Sequence, residues 1–147
     1  LFLVACGGTG STDDAGVDAG KPEPRLSGLP DCGTPTDAGT AADLYSTIVF
    51  STGCASGGCH GGAGFNLFEL TDAASFRTKM LEKSVQVPSL NRVTPAEVHK
   101  SYVVYKLWDQ HLDAGYSGSG ERMPQGGPYL TDSEMCQVIT WINAGAP

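Results

Sequence analysis

Cys54 and Cys59 are followed at once by His60, in the run Cys54-Ala55-Ser56-Gly57-Gly58-Cys59-His60-Gly61-Gly62. A thiolate is a nucleophile and a soft metal ligand, and a neutral imidazole is the commonest protein ligand to a transition metal. Two thiols with an adjoining histidine have the attachment chemistry of c-type haem. Each sulfur adds to a vinyl group of the porphyrin, and the imidazole is brought beneath the iron. The usual spacer between the sulfurs is two residues, whereas this one has four. Ser56, Gly57 and Gly58 are small and conformationally permissive, so the extra residues can loop out.

Two other chemistries compete for the same residues. Two thiolates and an imidazole also suit zinc, but a convincing fourth ligand is missing, because Cys32 and Cys136 are each isolated from any paired ligand. A Cys54–Cys59 disulfide or redox loop is the other alternative, although the close Cys-x-x-Cys on a βαβ pattern that marks thiol oxidoreductases is absent. Haem fits best of the three. Its iron has a second axial position, for which Met123 is the leading candidate, in Arg122-Met123-Pro124-Gln125-Gly126-Gly127-Pro128. A thioether on a proline-stiffened loop can be held against an open iron face, and Met/His ligation raises the potential. Met80 and Met135 fall on helical faces and are expected in the core. His99 and His111 are rivals to Met123, but both fall on or near a charge-rich helix, where a solvated surface histidine is expected.

The chain has five cysteines, at positions 6, 32, 54, 59 and 136. Residues 1–6 read as the remnant of a signal peptide ending in a lipobox, with Leu3-Val4-Ala5 before a cysteine and abrupt polarity after it. With Cys6 given to lipid and Cys54 with Cys59 to haem, Cys32 and Cys136 are left to form a disulfide. A loop of that length is stabilised by about 4–5 kcal/mol in the chain-entropy model.

The rest of the sequence must position these groups. Residues 7–39 are rich in Gly, Ala, Thr, Ser, Asp and Pro, with the triplet Asp-Ala-Gly repeated at Asp14, Asp18 and Asp37. Such a composition cannot bury enough apolar surface to fold, and it reads as a flexible linker with a reach of roughly 25–30 Å up to Cys32. Residues 40–147 turn helical. Thr40 is expected to cap a short helix through about Phe50, with Leu44 and Ile48 on one face. Thr71 is expected to open a second helix carrying Phe76 and Met80. Thr94, Pro95 and Glu97 supply a cap, an N1 proline and a capping-box partner for a third, running through Tyr102, Tyr105 and Trp108 to about His111. Thr131 and Glu134 form another capping box, with Leu130 and Met135 as a hydrophobic staple ahead of Val138, Ile139 and Ile142. Strand signals are weak, so the fold class expected is all-α, with about four helices around a central apolar ligand.

No apolar run reaches the roughly 18 residues of a membrane span. The net charge of −7 is concentrated ahead of the helical part: residues 7–39 carry six acids and two bases, and residues 40–147 carry ten acids and seven bases. No basic stripe suggests nucleic acid as a partner.

Taken together, the thiol pair with His60 and Gly61, the run Ser101-Tyr102-Val103-Val104-Tyr105-Lys106-Leu107, the triplet Arg122-Met123-Pro124 and the closing Trp141-Ile142-Asn143-Ala144-Gly145-Ala146-Pro147 resemble a small bacterial c-type cytochrome domain. The resemblance is to the class I fold, especially in exported lipoproteins, and it covers about residues 40–147. It implies haem c bound through Cys54 and Cys59, with His60 as proximal and Met123 as distal ligand. It also implies that the first and last helices cross beside the haem, bringing Leu44 and Ile48 near Val138, Ile139 and Trp141. The expected activity is electron transfer and not enzymatic turnover, by a monomer that exchanges electrons with redox partner proteins. It would be exported and held at the bacterial cell envelope by lipid on Cys6, with the outer membrane favoured because Gly7 is not a retention acid. The alternatives are a haemless exported lipoprotein with a Cys54–Cys59 disulfide acting in surface interaction, and a haem enzyme with an open distal site.

Overall fold

Thr40, Asp72 and Thr131 each open a helix in the same reciprocal way. The cap side chain accepts the backbone N–H of the third helical residue, and the side chain of that residue (Asp43, Ser75 or Glu134) accepts the N–H of the cap. Two donors orphaned at each helix start are thereby satisfied, and loss of such a cap costs about 1 kcal/mol. The computed structural model describes residues 25–34, 37, 39–62, 68–112 and 118–147. Its helices are α1 (Ala41–Leu44), which continues as a π-helix over Tyr45–Phe50, α2 (Ala73–Leu81), α3 (Tyr102–Leu107), preceded by a 3-10 turn over Val98–Lys100, and α4 (Asp132–Asn143). Among the described residues there is no β-strand, only isolated bridges from Asn91 to Lys83 and to Ser101. The fold is all-α, and no helix among the described residues is long and apolar enough to cross a membrane.

The core is centred on α4. Met135, Trp141 and Ile142 are fully buried, and Val93, between α2 and α3, and Val104 of α3 are fully buried in the same cluster. α1 packs against α2 and α4, and Leu44, Ile48, Val138, Ile139 and Trp141 share one apolar cluster. Phe76 of α2 meets the Trp141 ring at 5.6 Å between centroids. The segment after α4 ties these helices together. Ala41 at the start of α1 donates its N–H to the Pro147 carbonyl (3.1 Å), the Trp141 indole N–H donates to the same oxygen (3.0 Å), and Arg77 of α2 donates to the Ala146 carbonyl (2.8 Å).

The course of the backbone departs from the sequence expectations at three places. The second helix is capped by Asp72, not Thr71: a carboxylate and the Ser75 hydroxyl complete the reciprocal pair, while the Thr71 hydroxyl bonds to the Asp72 carboxylate and the Ser75 hydroxyl. The long third helix expected from Thr94 is broken. Ala96 takes a positive φ of 62° and donates its N–H to the Ile142 carbonyl, while the Ser101 hydroxyl bonds back to the Thr94 and Glu97 carbonyls. These long-range and local bonds divert the backbone, so α3 starts only at Tyr102, and Asp109 at φ 61° follows its end.

The third departure is at the linker. Within the 7–39 stretch, residues 25–34 lie against the helical body: Leu26 is buried, the Trp108 indole donates to the Ser27 carbonyl (3.0 Å), and Gln110 brackets Ser27 from both sides of its amide. Cys32 is joined to Cys136 of α4 in a disulfide, with the Cα atoms 5.2 Å apart. Composition flagged the glycines and prolines of this stretch but not its one buried leucine. Cys6, the lipobox and the linker up to residue 24 lie outside the described residues.

Candidate functional site

The π-helix delivers the chain into a closed turn that holds the thiols and the imidazole. Thr47, Ser51 and Thr52 bond their hydroxyls back to the Asp43, Thr47 and Ile48 carbonyls, and Gly53 at φ 75° turns the chain away from the helix axis. Ala55 still donates to the Val49 carbonyl (3.3 Å), which anchors the start of the turn. The Ser56 carbonyl then accepts from both Cys59 (2.9 Å) and Gly61 (2.8 Å), and His60 donates its N–H to the Cys54 carbonyl (2.8 Å). Gly61 is demanded by packing, since a Cβ there would overlap the Ala55 carbonyl.

The His60 to Cys54 bond bears on the widened spacer. In a two-residue spacer the histidine stands four residues after the first cysteine, where a helical turn would join its N–H to that cysteine's carbonyl. In this chain His60 stands six residues after Cys54, and the same donor still meets the same acceptor. Ser56, Gly57 and Gly58 are exposed, and a Cβ on either glycine would meet nothing within 4 Å. The spacer residues lie at the surface, and the His60 to Cys54 hydrogen bond closes the turn behind them.

His60 is half-buried, and its Nδ1 lies 3.1 Å from the Phe68 carbonyl. A carbonyl only accepts, so Nδ1 carries the proton and Nε2 keeps its lone pair, which is the arrangement of a metal-binding imidazole oriented from behind. The imidazole ring stacks on the Phe68 ring at 4.5 Å, and the Arg92 guanidinium lies 4.2 Å from the centroid of that same ring. Arg92 is itself buried and pinned by the Lys79 carbonyl (2.8 Å) and the Glu82 carboxylate (3.2 Å). Burial holds the His60 imidazole below the ordinary histidine range, the Phe68 bond opposes that shift, and the Arg92 charge adds to it.

Both motif thiols are free, Cys54 partly buried against the core and Cys59 exposed. Burial pushes the Cys54 thiol up, with the Thr52 hydroxyl at 3.1 Å opposing and the neighbouring Cys59 adding to the rise. Met123 lies on a separate loop that returns to α3. Its N–H donates to the Lys106 carbonyl (2.9 Å), Arg122 donates to the Leu107 carbonyl (2.9 Å), and the Met123 side chain rests half-buried on the same apolar cluster as Cys54 and Phe68. The turn of residues 54–60 carries Cys54, Cys59 and His60 on one stretch of backbone, though their side chains do not converge on one point, and Met123 sits on another loop packed against the same core.

Met80 and Met135 are buried core residues. His111, expected on the surface, is 1% exposed: its Nε2 donates to the Gly120 carbonyl at 2.7 Å, because the chain before Met123 folds over it. His99 is half-buried, and the Nδ1 atoms of both histidines lack a hydrogen-bond partner among the described residues. Phe68, Arg92 and Lys106 were not singled out by sequence. Phe68 contributes through its backbone and ring, and a buried arginine or lysine has no local signature.

No family model, curated protein or solved structure matches this chain. Among the described residues no group of three or more His, Cys, Asp or Glu side chains converges to hold a metal ion. The donor types present, two free thiols in one turn and an imidazole whose Nδ1 faces the Phe68 carbonyl, are those that haem c attachment and ligation use.

Proposed function

We propose that this chain is a small c-type electron carrier, with haem c bound through Cys54 and Cys59 and its iron ligated by His60 and Met123. The observation that carries the reading is the His60 N–H to Cys54 carbonyl bond across the spacer, together with the Nδ1 contact to Phe68. Thioether formation needs each S–H to add across a vinyl group, with the proton going to the adjacent carbon. No oxidant is consumed, but both sulfurs must be reduced, and both are. Haem supplies one-electron exchange at its iron. His60, oriented by Phe68, and the Met123 thioether would hold the iron. With two protein ligands the iron would have no position for a substrate, and the chain would act as a carrier for redox partner proteins. We also propose that Cys6 bears lipid and holds the chain at the bacterial envelope.

The visible spectrum of protein made with an active haem-attachment system tests this, with Met123→Ala alongside. The variant should lose the sulfur-to-iron charge-transfer band and fall in potential. An unchanged spectrum would instead indicate an iron with a vacant distal site. An intact mass without haem would indicate the haemless protein.

A further inference from the structure

The stretch ahead of Met123 is held by side chains that the proposed chemistry does not use. Lys106 is 7% exposed, and its ammonium donates to the carbonyls of Ser119 (2.9 Å) and Glu121 (2.5 Å). His111, buried deeper still, donates from Nε2 to the carbonyl between them, that of Gly120 (2.7 Å). Three consecutive carbonyls are therefore taken by two buried donors from α3 and the turn that follows it. Gly118 begins this stretch with no room for a Cβ, which would overlap the His111 carbonyl and stand 2.7 Å from the Tyr102 hydroxyl. That hydroxyl donates to Gln86 (2.8 Å). The stretch ends where Met123 donates its own N–H to the Lys106 carbonyl. A buried ammonium is costly unless its donors are used, and among the described residues these carbonyls are what use them.

We propose that Lys106 and His111 are positioning residues that latch residues 118–123 onto α3, so that the Met123 thioether is presented before any cofactor is attached. The proposal rests on the reading of Met123 as distal ligand and adds how that ligand is set. A ligand loop ordered in advance does not have to be ordered when the iron is bound, which favours the Met-ligated state over a loop-open one.

The test compares wild type with Lys106→Met, which keeps the stem and removes the donors, and with His111→Leu. Val138→Ala serves as a control for general loss of stability. In haem-free protein, amide exchange at Met123 should accelerate by about tenfold or more in each latch variant, the factor that about 1.4 kcal/mol of lost hydrogen bonding corresponds to. Exchange at Ile139 in α4 should change far less. In the haem-loaded ferric protein the same variants should weaken the sulfur-to-iron band and lower the potential, while Val138→Ala leaves both in place. Lys106→Arg, which keeps charged donors, should restore the band in part. Equal acceleration at Met123 and Ile139, or a full band in both latch variants, overturns the proposal. A wild-type protein that binds haem without the band overturns Met123 ligation itself, and the haem-free exchange then still decides whether the latch exists. If Lys106→Met does not fold, His111→Leu carries the same comparison.

Discussion

The Nδ1 atom of His60 lies 3.1 Å from the backbone carbonyl of Phe68, eight residues further along the chain. That contact fixes the tautomer, and burial with the nearby Arg92 charge keeps the ring neutral to lower pH than an ordinary histidine. Because the folded imidazole binds its proton less readily than the unfolded one, the contribution is fully present above the unfolded value of about 6.5 and is lost as pH falls below it. In haem-free protein, nitrogen-15 spectra should therefore show His60 as the Nδ1–H tautomer, and wild type should lose more stability between pH 7 and pH 5 than His60→Phe does. Equal losses, or an Nε2–H tautomer, would remove the oriented ligand.

The two motif thiols should differ in reactivity. Cys59 is exposed, whereas Cys54 is partly buried with its thiol pushed up by that burial. Only the thiolate is nucleophilic, so in haem-free protein at neutral pH an alkylating reagent should modify Cys59 well before Cys54. Time-resolved peptide mass analysis reads the order. Resistance of both until a reductant is added would show them paired with each other.

The Cys32–Cys136 disulfide closes a loop with a sequence separation of 104. Replacing both cysteines with serine, which leaves no odd thiol, should lower unfolding free energy by up to about 4–5 kcal/mol. Denaturant titration checks this. A loss under about 1 kcal/mol would mean that residues 25–34 stay docked through Leu26 and Ser27 alone.

Much of the scaffold was legible because its signals are local. Thr131 with Glu134 and Thr40 with its following turn announce helix starts in the residues that make them, and the cysteine count left Cys32 and Cys136 for each other. The misread parts depend on partners distant in sequence. The third helix fails because Ala96 bonds to Ile142, His111 is buried because Gly120 folds over it, and residues 25–34 dock because Trp108 and Gln110 reach Ser27. At the site, the thiols and imidazole stood in plain sequence, but the atom that orients His60 is a backbone carbonyl, which every residue possesses. Arg92 was invisible for a related reason, since nothing local marks which arginine will be buried.

Arg92 should tune the proposed cofactor. Its buried charge touches the Phe68 ring on which His60 stacks. A nearby positive charge disfavours the oxidised iron, so Arg92→Met should lower the reduction potential, and each 1 kcal/mol of lost interaction would read as about 40 mV for a one-electron couple. Spectroelectrochemistry at fixed ionic strength measures the shift. A rise in potential, or no change, would place the Arg92 charge outside the electrostatics of the iron.

The proposed bond between chain and haem is covalent, so a pyridine haemochrome spectrum of the purified chain after acid extraction, made in cells with an active haem-attachment system, decides whether it exists. One haem per chain should resist extraction, with the spectrum of a porphyrin whose two vinyl groups are both saturated, and Cys54→Ser or Cys59→Ser should each shift it to the single-thioether form. A colourless extracted chain, with Cys54 and Cys59 both still open to alkylation, would show that no thioether to haem forms.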